Sequence, residues 1–544
     1  MKKKIAIAAM LATTLLLAAC GKQSSSESKK QATFGLNTEV ASLDTLKAQD
    51  PNSFDVQDAL VSGLYRMNAK DQVKPDIAKG MPVKSNGNKT YTIKLRHNAK
   101  WSNGASVTAN DFVYAWKRGA NPATKSNYAY IIQTIVKNGD KIATGKMSAN
   151  KLAVKALGKY QLQVTLQKPT PYFTSLLSFN PYFPQNEKFV EKQGNNYATS
   201  PSTMLYNGPF KLKSYRQGAS SFSLTRNKKY VGPIKPKLDQ LNFNVIKEAQ
   251  TGLSQYESKK LDMTFLTGNL VKNNAKKAGF KTIPNSLVTY LEFNFKKGAN
   301  NYLLNKNLRT AMANAIDTKQ LATKILQDKS SPLTGYIPPK FVKNTATGKD
   351  FRAEGGDLSV PNKNLVQENW QKTLKQLGKK QITIQLLVDD EDWQKTTAQY
   401  LQSELQTQLK GLKIDIRSLP QQQELGMVAQ GKFQMCLAQW GPDYQDPNTY
   451  LANFVTGGRT QFSDSKYDQF MSEANGKFVN DPAKRFQALH NAERQLVQTD
   501  KAIVPLNQQV YSVLQNPKLK GVHHHMVGAP SHTQRHIGSD LSEF

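Results

Sequence analysis

The 544-residue chain has two cysteines, five tryptophans and seven histidines, and its 40 acidic side chains fall far short of its 74 basic ones. Each shortage excludes something. Cys20 closes an apolar leader, so Cys436 stands alone and no intramolecular disulfide framework is available. Within the apolar run KFQMCLAQW, Cys436 reads as a small core residue rather than a nucleophile. No Ser/His/Asp, Cys/His or zinc-ligand spacing is present, which leaves an exported peptidase without its machinery. No fixed-period repeat occurs, and no low-complexity segment interrupts the chain after residue 32, so neither a solenoid nor an extended disordered region fits. What is there describes a polar but foldable protein: 38% hydrophobic and 21% charged residues, with 21 tyrosines and 23 phenylalanines. At roughly 150 residues per domain the length corresponds to about three to four domains.

The net charge of +34 would suit nucleic acid or an anionic surface. The lysines are scattered rather than gathered in a tract with interleaved aromatics, and the leader exports the chain, so nucleic acid is not the expected partner. Acidic wall polymers or lipid head groups are. MKKKIAIAAMLATTLLLAAC has a basic start, an apolar run and small residues before Cys20, the layout of a secretory signal too short to span a bilayer comfortably. Its end, Leu17-Ala18-Ala19-Cys20, resembles a bacterial lipobox. That implies removal of residues 1–19 and attachment of diacylglycerol to Cys20, anchoring the protein to the extracellular face of the cell membrane; a plain secretory signal or an uncleaved anchor is the alternative. Residues 20–32, GKQSSSESKKQA after the cysteine, read as a flexible tether.

Beyond the tether, strand and helix patterns alternate. TYTIKLR reads as a strand. TANDFVYAWKR is a helix in which Thr108 and Asp111 form a capping box with Asp in place of Glu. VQDALVSGLY is expected to be an amphipathic helix. Between 150 and 250, YQLQVTLQ, GPFKLKSY, SFSLTRN and QLNFNVI alternate as strands do, separated by Pro and Gly. From about 290 the texture turns helical, in NKNLRTAMANAIDTKQLATKIL, NLVQENWQKTLKQL, WQKTTAQYLQSELQTQL and PAKRFQALHNAERQLVQT. The strands QITIQLLV and LKIDIRSL flank one of these helices, an α/β arrangement, and AIVPLNQQVYSVLQ closes the chain as a late strand.

AQWGPDYQDPNTYL, Ala438 to Leu451, sets an indole, two tyrosines and two carboxylates into a stretch whose prolines argue against a helix. Asp443 and Asp446 lack a nearby nucleophile or ligand set, so a catalytic pair is disfavoured. Asp446 before Pro447 reads as a turn former, its carboxylate capping backbone N–H groups. Asp111 and Arg118 read as a cap and a surface cation, and Trp101 and Trp116 as packing.

SLDTLKAQD, ALVSGLY, Tyr91 to Arg118 (YTIKLRHNAKWSNGASVTANDFVYAWKR), YNGPFKL, LTRNKKY, KKLDM, LEFN, NLRTAMANAID and VPLNQQVY occur in an order that resembles the family 5 extracellular solute-binding proteins, the oligopeptide-binding lipoproteins of ABC peptide importers. The resemblance implies an α/β, two-lobed periplasmic-binding-protein-like clam-shell of the three-domain class II, with mixed sheets. It implies lobe one over 33–60, an extra subdomain over 61–187, lobe one again over 188–287, lobe two over 288–507 and a return to lobe one with a tail over 508–544. It also implies a monomer that captures oligopeptides and delivers them to a permease driven by ATPases, with no catalysis and no cofactor. Asp443 stands where the family pairs a carboxylate with the ligand's α-ammonium. Trp440 and Gly441 would offer backbone to the peptide, with Tyr444 beside them. Across the cleft stand Gln49 and Asp50 in Ala48-Gln49-Asp50, and Tyr128, Tyr256 and Tyr290 fall where the family lines its cavity with aromatics.

Two other readings stay open: a surface lipoprotein adhering to anionic envelope polymers, and a member of the family that takes nickel or another solute. The tail histidines His523, His524, His525, His532 and His536 lack accompanying carboxylates or cysteines at ligand spacing, so no metal is assigned to them. The chain departs from the family where some members hold the peptide's carboxylate with a cation or histidine, for here stand Leu437 and Gln394. Without that cation, a peptide with an amidated C-terminus is expected to bind as tightly as the free acid in calorimetry, and a large loss on amidation would contradict this.

Overall fold

The computed structural model describes residues 30–48, 50–298, 301–458 and 460–522. Cys20 with its leader, Gln49 and the five tail histidines lie outside the described residues. Strand β1 (Gln31–Leu36) starts inside the stretch expected to be tether. Gln31 and Ala32 pair with Gln240 and Leu241, and Ala32, Phe34 and Leu36 are buried, so alternate apolar side chains hold the backbone in the sheet from its first residue.

Helix α1 (Pro51–Leu60) is displaced toward the N-terminus from VQDALVSGLY. Asp50 caps it by accepting the Ser53 N–H at 2.8 Å, and Pro51 sits at the first turn, where its missing N–H costs nothing. The helix stops at Leu60, whose carbonyl accepts the Gly208 N–H at 2.9 Å. A Cβ at residue 208 would lie 2.6 Å from the Leu60 carbonyl carbon, which explains the glycine of YNGPFKL.

The next segment builds a small antiparallel sheet from β2 (Val83–Ser85), β3 (Thr90–Lys94), β4 (Val154–Ala156) and β5 (Gln161–Thr165), in the order β2-β3-β5-β4. Against it packs α2 (Ala109–Ala120), whose Thr108/Asp111 capping box is formed. Trp101 and Trp116 are buried with Ile93, Phe112 and Val164. Arg118 is not a surface cation. It makes a bidentate pair with Asp44 at 3.0 and 2.8 Å, and also donates to Gln185, tying this subdomain to the loop after β1.

Strands β6 (Phe210–Ser214), β7 (Ser221–Arg226) and β8 (Gln240–Val245), helix α3 (Ala249–Glu257) and strand β9 (Met263–Leu266) complete the first large layer around β1. The long strand β10 (Phe280–Phe293) then leads to helices α4 (Lys306–Ala315) and α5 (Lys363–Leu377), strand β11 (Ile382–Asp389), helix α6 (Asp392–Gln408), and strands β12 (Leu412–Leu419) and β13 (Met435–Trp440). After a one-turn helix α7 (Asn448–Leu451) and helix α8 (Pro482–Arg494), strand β14 (Ile503–Gln515) returns along β10. The helix expected across NKNLRTAMANAIDTKQLATKIL is broken: Ile316 is extended, and Asp317 caps a fresh turn by accepting the Gln320 N–H at 2.9 Å.

The main sheet is mixed and runs β12-β11-β13-β10-β14-β9-β1-β8-β7-β6. β10 and β14 cross from one core to the other, and their ladder is irregular between Pro284 and Val288. On one side of the irregularity Ile283 and Val513 pack with Phe34, Leu241 and Phe243. On the other, Leu291, Phe293, Val504 and Leu506 pack with Trp370, Ile384 and Leu386. The edge strand β12 keeps Lys413, Asp415 and Arg417 exposed, which discourages pairing with another chain.

A second core in lobe two is organised around Glu493, which is fully buried. One carboxylate oxygen accepts the Tyr336 and Ile337 N–H groups at 2.8 and 2.9 Å and Arg352 Nη1 at 2.6 Å. Removing it strands a buried guanidinium and two amides, so Glu493→Ala is expected to cost about 3 to 5 kcal/mol. A fall of under 1 kcal/mol in denaturant unfolding would contradict that role.

Candidate functional site

Residues 441–447 form a loop at the end of β13, and the fold brings it against the extra subdomain. The prolines do not abolish helix: Pro447 stands at the N-terminal boundary of α7, where its fixed φ suits the first turn. Asp446 forms the expected turn, accepting the Asn448 N–H at 3.0 Å, and does more besides. It makes a buried bidentate pair with Arg485 of α8 at 2.7 and 2.8 Å, so the loop is bolted to a helix.

Asp443 is only 5% exposed. Its N–H donates to the Thr449 hydroxyl at 3.1 Å, and one carboxylate oxygen, Oδ2, accepts the Tyr130 hydroxyl at 2.7 Å. The other oxygen, Oδ1, is buried without a hydrogen-bond partner among the described residues. Burial pushes the carboxyl up to about 6, and the Tyr130 hydrogen bond only partly offsets this. A desolvated carboxylate with an unpartnered oxygen is matched by a cation carrying N–H donors.

Trp440 and Gly441 precede it. β13 is paired along Val288–Phe293 of β10 on one side, but its ladder to β11 covers only Met435 and Cys436. The second edge of Leu437–Trp440 is therefore not taken by β11, and an extended backbone could add there. Tyr444 stacks on Tyr172 of the subdomain, ring centroids 4.0 Å apart and planes 9° from parallel.

Of the facing residues, Asp50 is the cap of α1, and Tyr128 is buried edge-to-face against Phe54 and Phe179. Tyr128 lies 5.9 Å from Tyr130 between ring centroids, and the charges of Asp443 and Asp50 both reinforce the effect of burial in raising its hydroxyl. Tyr130 thus links Tyr128 to Asp443, and the charge of Asp50 is felt at the Tyr128 hydroxyl. Two aromatics do not join them. Tyr290 packs in the lobe-two core against Tyr336, and Tyr256 lies on α3 beside Leu253 and Phe280. Position in family order does not specify which face of an element these two rings occupy.

Tyr130, Tyr172 and Arg485 are neighbours of the candidate site that the sequence does not single out. Tyr130 carries one signal, its place two residues after Tyr128 in SNYAY. Where some family members set a carboxyl-end cation, Gln394 donates to Asp389 at 2.8 Å. A crevice of about 800 Å³ opens there between the ends of β1 and β9, the turn from β11 to α6, and β14. Asp390, Glu391, Asp392 and Trp393 line its lobe-two side.

The raised carboxyl of Asp443 has a stability consequence whose sign is fixed. Its native pKa lies above the unfolded value, so its contribution is complete below about pH 4 and is lost as pH rises through about 6. Asp443→Asn removes that loss. It is expected to stabilise the peptide-free protein at pH 8 by on the order of 2 to 3 kcal/mol, with the advantage vanishing near pH 4. Equal unfolding free energies of variant and wild type at pH 8 would contradict the buried, unpaired charge.

A sequence model described as "Bacterial extracellular solute-binding proteins, family 5 Middle" matches residues 72–462. The "Dipeptide-binding protein" of Lactococcus lactis subsp. cremoris is 35% identical over 529 residues, which cover 94% of this chain and 95% of the relative. Among solved structures, "Listeria monocytogenes OppA bound to peptide" is similar with a TM-score of 0.77 and 34% identity, covering 94% of this chain and 99% of that one. The substrate-binding domain of an oligopeptide ABC transporter from Bacillus anthracis has a TM-score of 0.77 and 33% identity, covering 93% and 98%. The main sheet divided between two cores and the match over most of the length agree, and the chain belongs to the bacterial extracellular solute-binding proteins of family 5.

Proposed function

We propose that the protein captures oligopeptides outside the cell and delivers them to an ABC-type permease powered by cytoplasmic ATPases, releasing each ligand unchanged. The observation that carries this reading is Asp443, a buried carboxylate with one oxygen lacking a partner, at the end of a strand whose ladder to β11 stops at Cys436. A peptide's α-ammonium meets the carboxylate's need for charge and donors, while its extended backbone adds to the strand edge. Affinity then comes from main chain and amino end, which every peptide has, rather than from particular side chains. The similar proteins, named for binding dipeptides and oligopeptides, support peptide as the ligand class. The lipobox-like Leu17–Cys20 supports a lipid anchor at Cys20, which keeps the monomeric capture protein beside its permease.

Calorimetry with a free peptide and its N-acetylated form tests this. Asp443→Ala is expected to weaken the free peptide by about 2 to 5 kcal/mol and to abolish the preference over the acetylated form. Wild-type affinity for the free peptide is also expected to fall about tenfold per pH unit below about 6, where Asp443 takes up a proton. Unchanged affinity in the variant, or a wild type indifferent to acetylation, would overturn the assignment.

A further inference from the structure

Tyr444 belongs by chain position to the lobe-two loop, yet its ring is buried among side chains of the extra subdomain, in a core that otherwise runs from Ala48 to Leu205. Its partner Tyr172 comes from that subdomain, and the two rings lie nearly parallel at 4.0 Å. Asn448 bridges the pair, its side-chain N–H group donating to the Tyr444 hydroxyl at 2.9 Å and reaching the Tyr172 hydroxyl at 3.4 Å. Asn475 in turn donates to the Asn448 carbonyl oxygen at 2.7 Å and fixes which end of that amide faces the tyrosines. The Asp446–Arg485 pair holds the loop from behind. On the surface, Asn88 of the subdomain donates to Asn480 of lobe two at 2.8 Å, so the contact extends beyond the stack. All of these are protein-to-protein contacts, and none uses the unpartnered oxygen of Asp443 or the part of β13 beyond its β11 ladder.

We infer that Tyr444 and Tyr172 form a clasp by which the extra subdomain grips lobe two, adding to the affinity for every ligand alike, whereas Asp443 reads the amino end. Tyr444 is thereby a positioning residue rather than one that selects among peptides. This inference rests on the peptide-binding reading above. Two flat rings stacked between lobes suit a reversible contact, because they come apart without leaving a charge unpaired and bring back their full contact only when the lobes return to one orientation. Asn448 adds orientation, since its amide reaches both hydroxyls only when the rings are in register.

The test measures penta-alanine and N-acetyl-penta-alanine by calorimetry, on wild type, Tyr172→Leu and Tyr172→Phe, with the radius of gyration of each peptide-free protein from small-angle scattering. Tyr172→Leu is expected to weaken both peptides by the same factor, roughly threefold to tenfold, and to enlarge the peptide-free protein. Tyr172→Phe, which keeps the ring, is expected to restore most of both. A loss confined to the peptide with a free amino group, or no loss at all, would overturn the clasp. If the wild type binds neither peptide, the capture reading fails separately, and the clasp is then judged by the radius alone: larger in Tyr172→Leu supports it, equal overturns it. Should Tyr172→Leu fold poorly, Tyr444→Leu against Tyr444→Phe makes the same comparison from the other ring.

Discussion

Where β10 and β14 run side by side, the sheet of one lobe becomes the sheet of the other, and the relative position of everything on the two sides is set along that ladder. Its irregularity between Pro284 and Val288 coincides with the change of core, since Ile283 packs with lobe one while Val288 and Leu291 pack in lobe two. A break in register relaxes the hydrogen-bonding and twist constraints of a ladder locally, so small dihedral changes there swing whole layers. Tyr130 and Asp443 are 313 residues apart, and they meet because the strands place their lobes at one angle. The Tyr172–Tyr444 stack and the Tyr130–Asp443 hydrogen bond, on which the proposed clasp and amino-end anchor rest, both depend on that angle. Each core is close-packed and internally rigid, so the freedom to bring them together is concentrated in the crossing strands and the loops beside them.

What is legible in the sequence is local. The alternation in YQLQVTLQ and SFSLTRN, the capping box of Thr108 and Asp111, and the βαβ order of QITIQLLV, WQKTTAQYLQSELQTQL and LKIDIRSL all depend on neighbours within one element, and all appear in the structure. Helix ends are less legible where a side chain outweighs the apolar period. Asp50 with Pro51 starts α1 early, and Asp317 breaks the helical run after Ala315. Ion pairs are not legible at all. Nothing in the residue types says that Arg118 will find Asp44 across 74 positions, or Arg485 find Asp446 across 39. Taken alone, Arg118 reads as a surface group and Asp446 as a turn former, because the partner of each is supplied by the fold.

The candidate site divides along the same line. Asp443 can be singled out because an ordered set of short motifs resembles a family, and its surroundings supply the physical reason: burial, one hydrogen bond and one unpartnered oxygen. Tyr290 is placed by the same resemblance and stands elsewhere. β10 is covered on both faces at that point, with Val288 and Tyr290 facing one lobe-two core and Leu291 and Phe293 the other. Period-two alternation gives the face of a strand but not what lies over it, and here neither face is left for a ligand. Tyr130 shows the converse. It lies two residues from Tyr128, in a short helix, where residues i and i+2 point in different directions.

The net charge of +34 and the single buried carboxylate act at different ranges, which allows one chain to hold both without conflict. At physiological ionic strength exposed charges are screened beyond about 8 Å, so the scattered lysines act on charged groups only as these approach the surface. Asp443 lies away from that screening, and its interaction with a cation at contact is set by the protein around it. At neutral pH, above its raised pKa, the carboxylate is charged at a cost set by its burial, and in the proposed scheme a cation that relieves this cost also favours the closed contact of the two tyrosines. Strain in the anchor and contact in the clasp are thus complementary. On the proposed reading the first makes a ligand's amino end worth binding, and the second returns the same closed arrangement whatever side chains follow it.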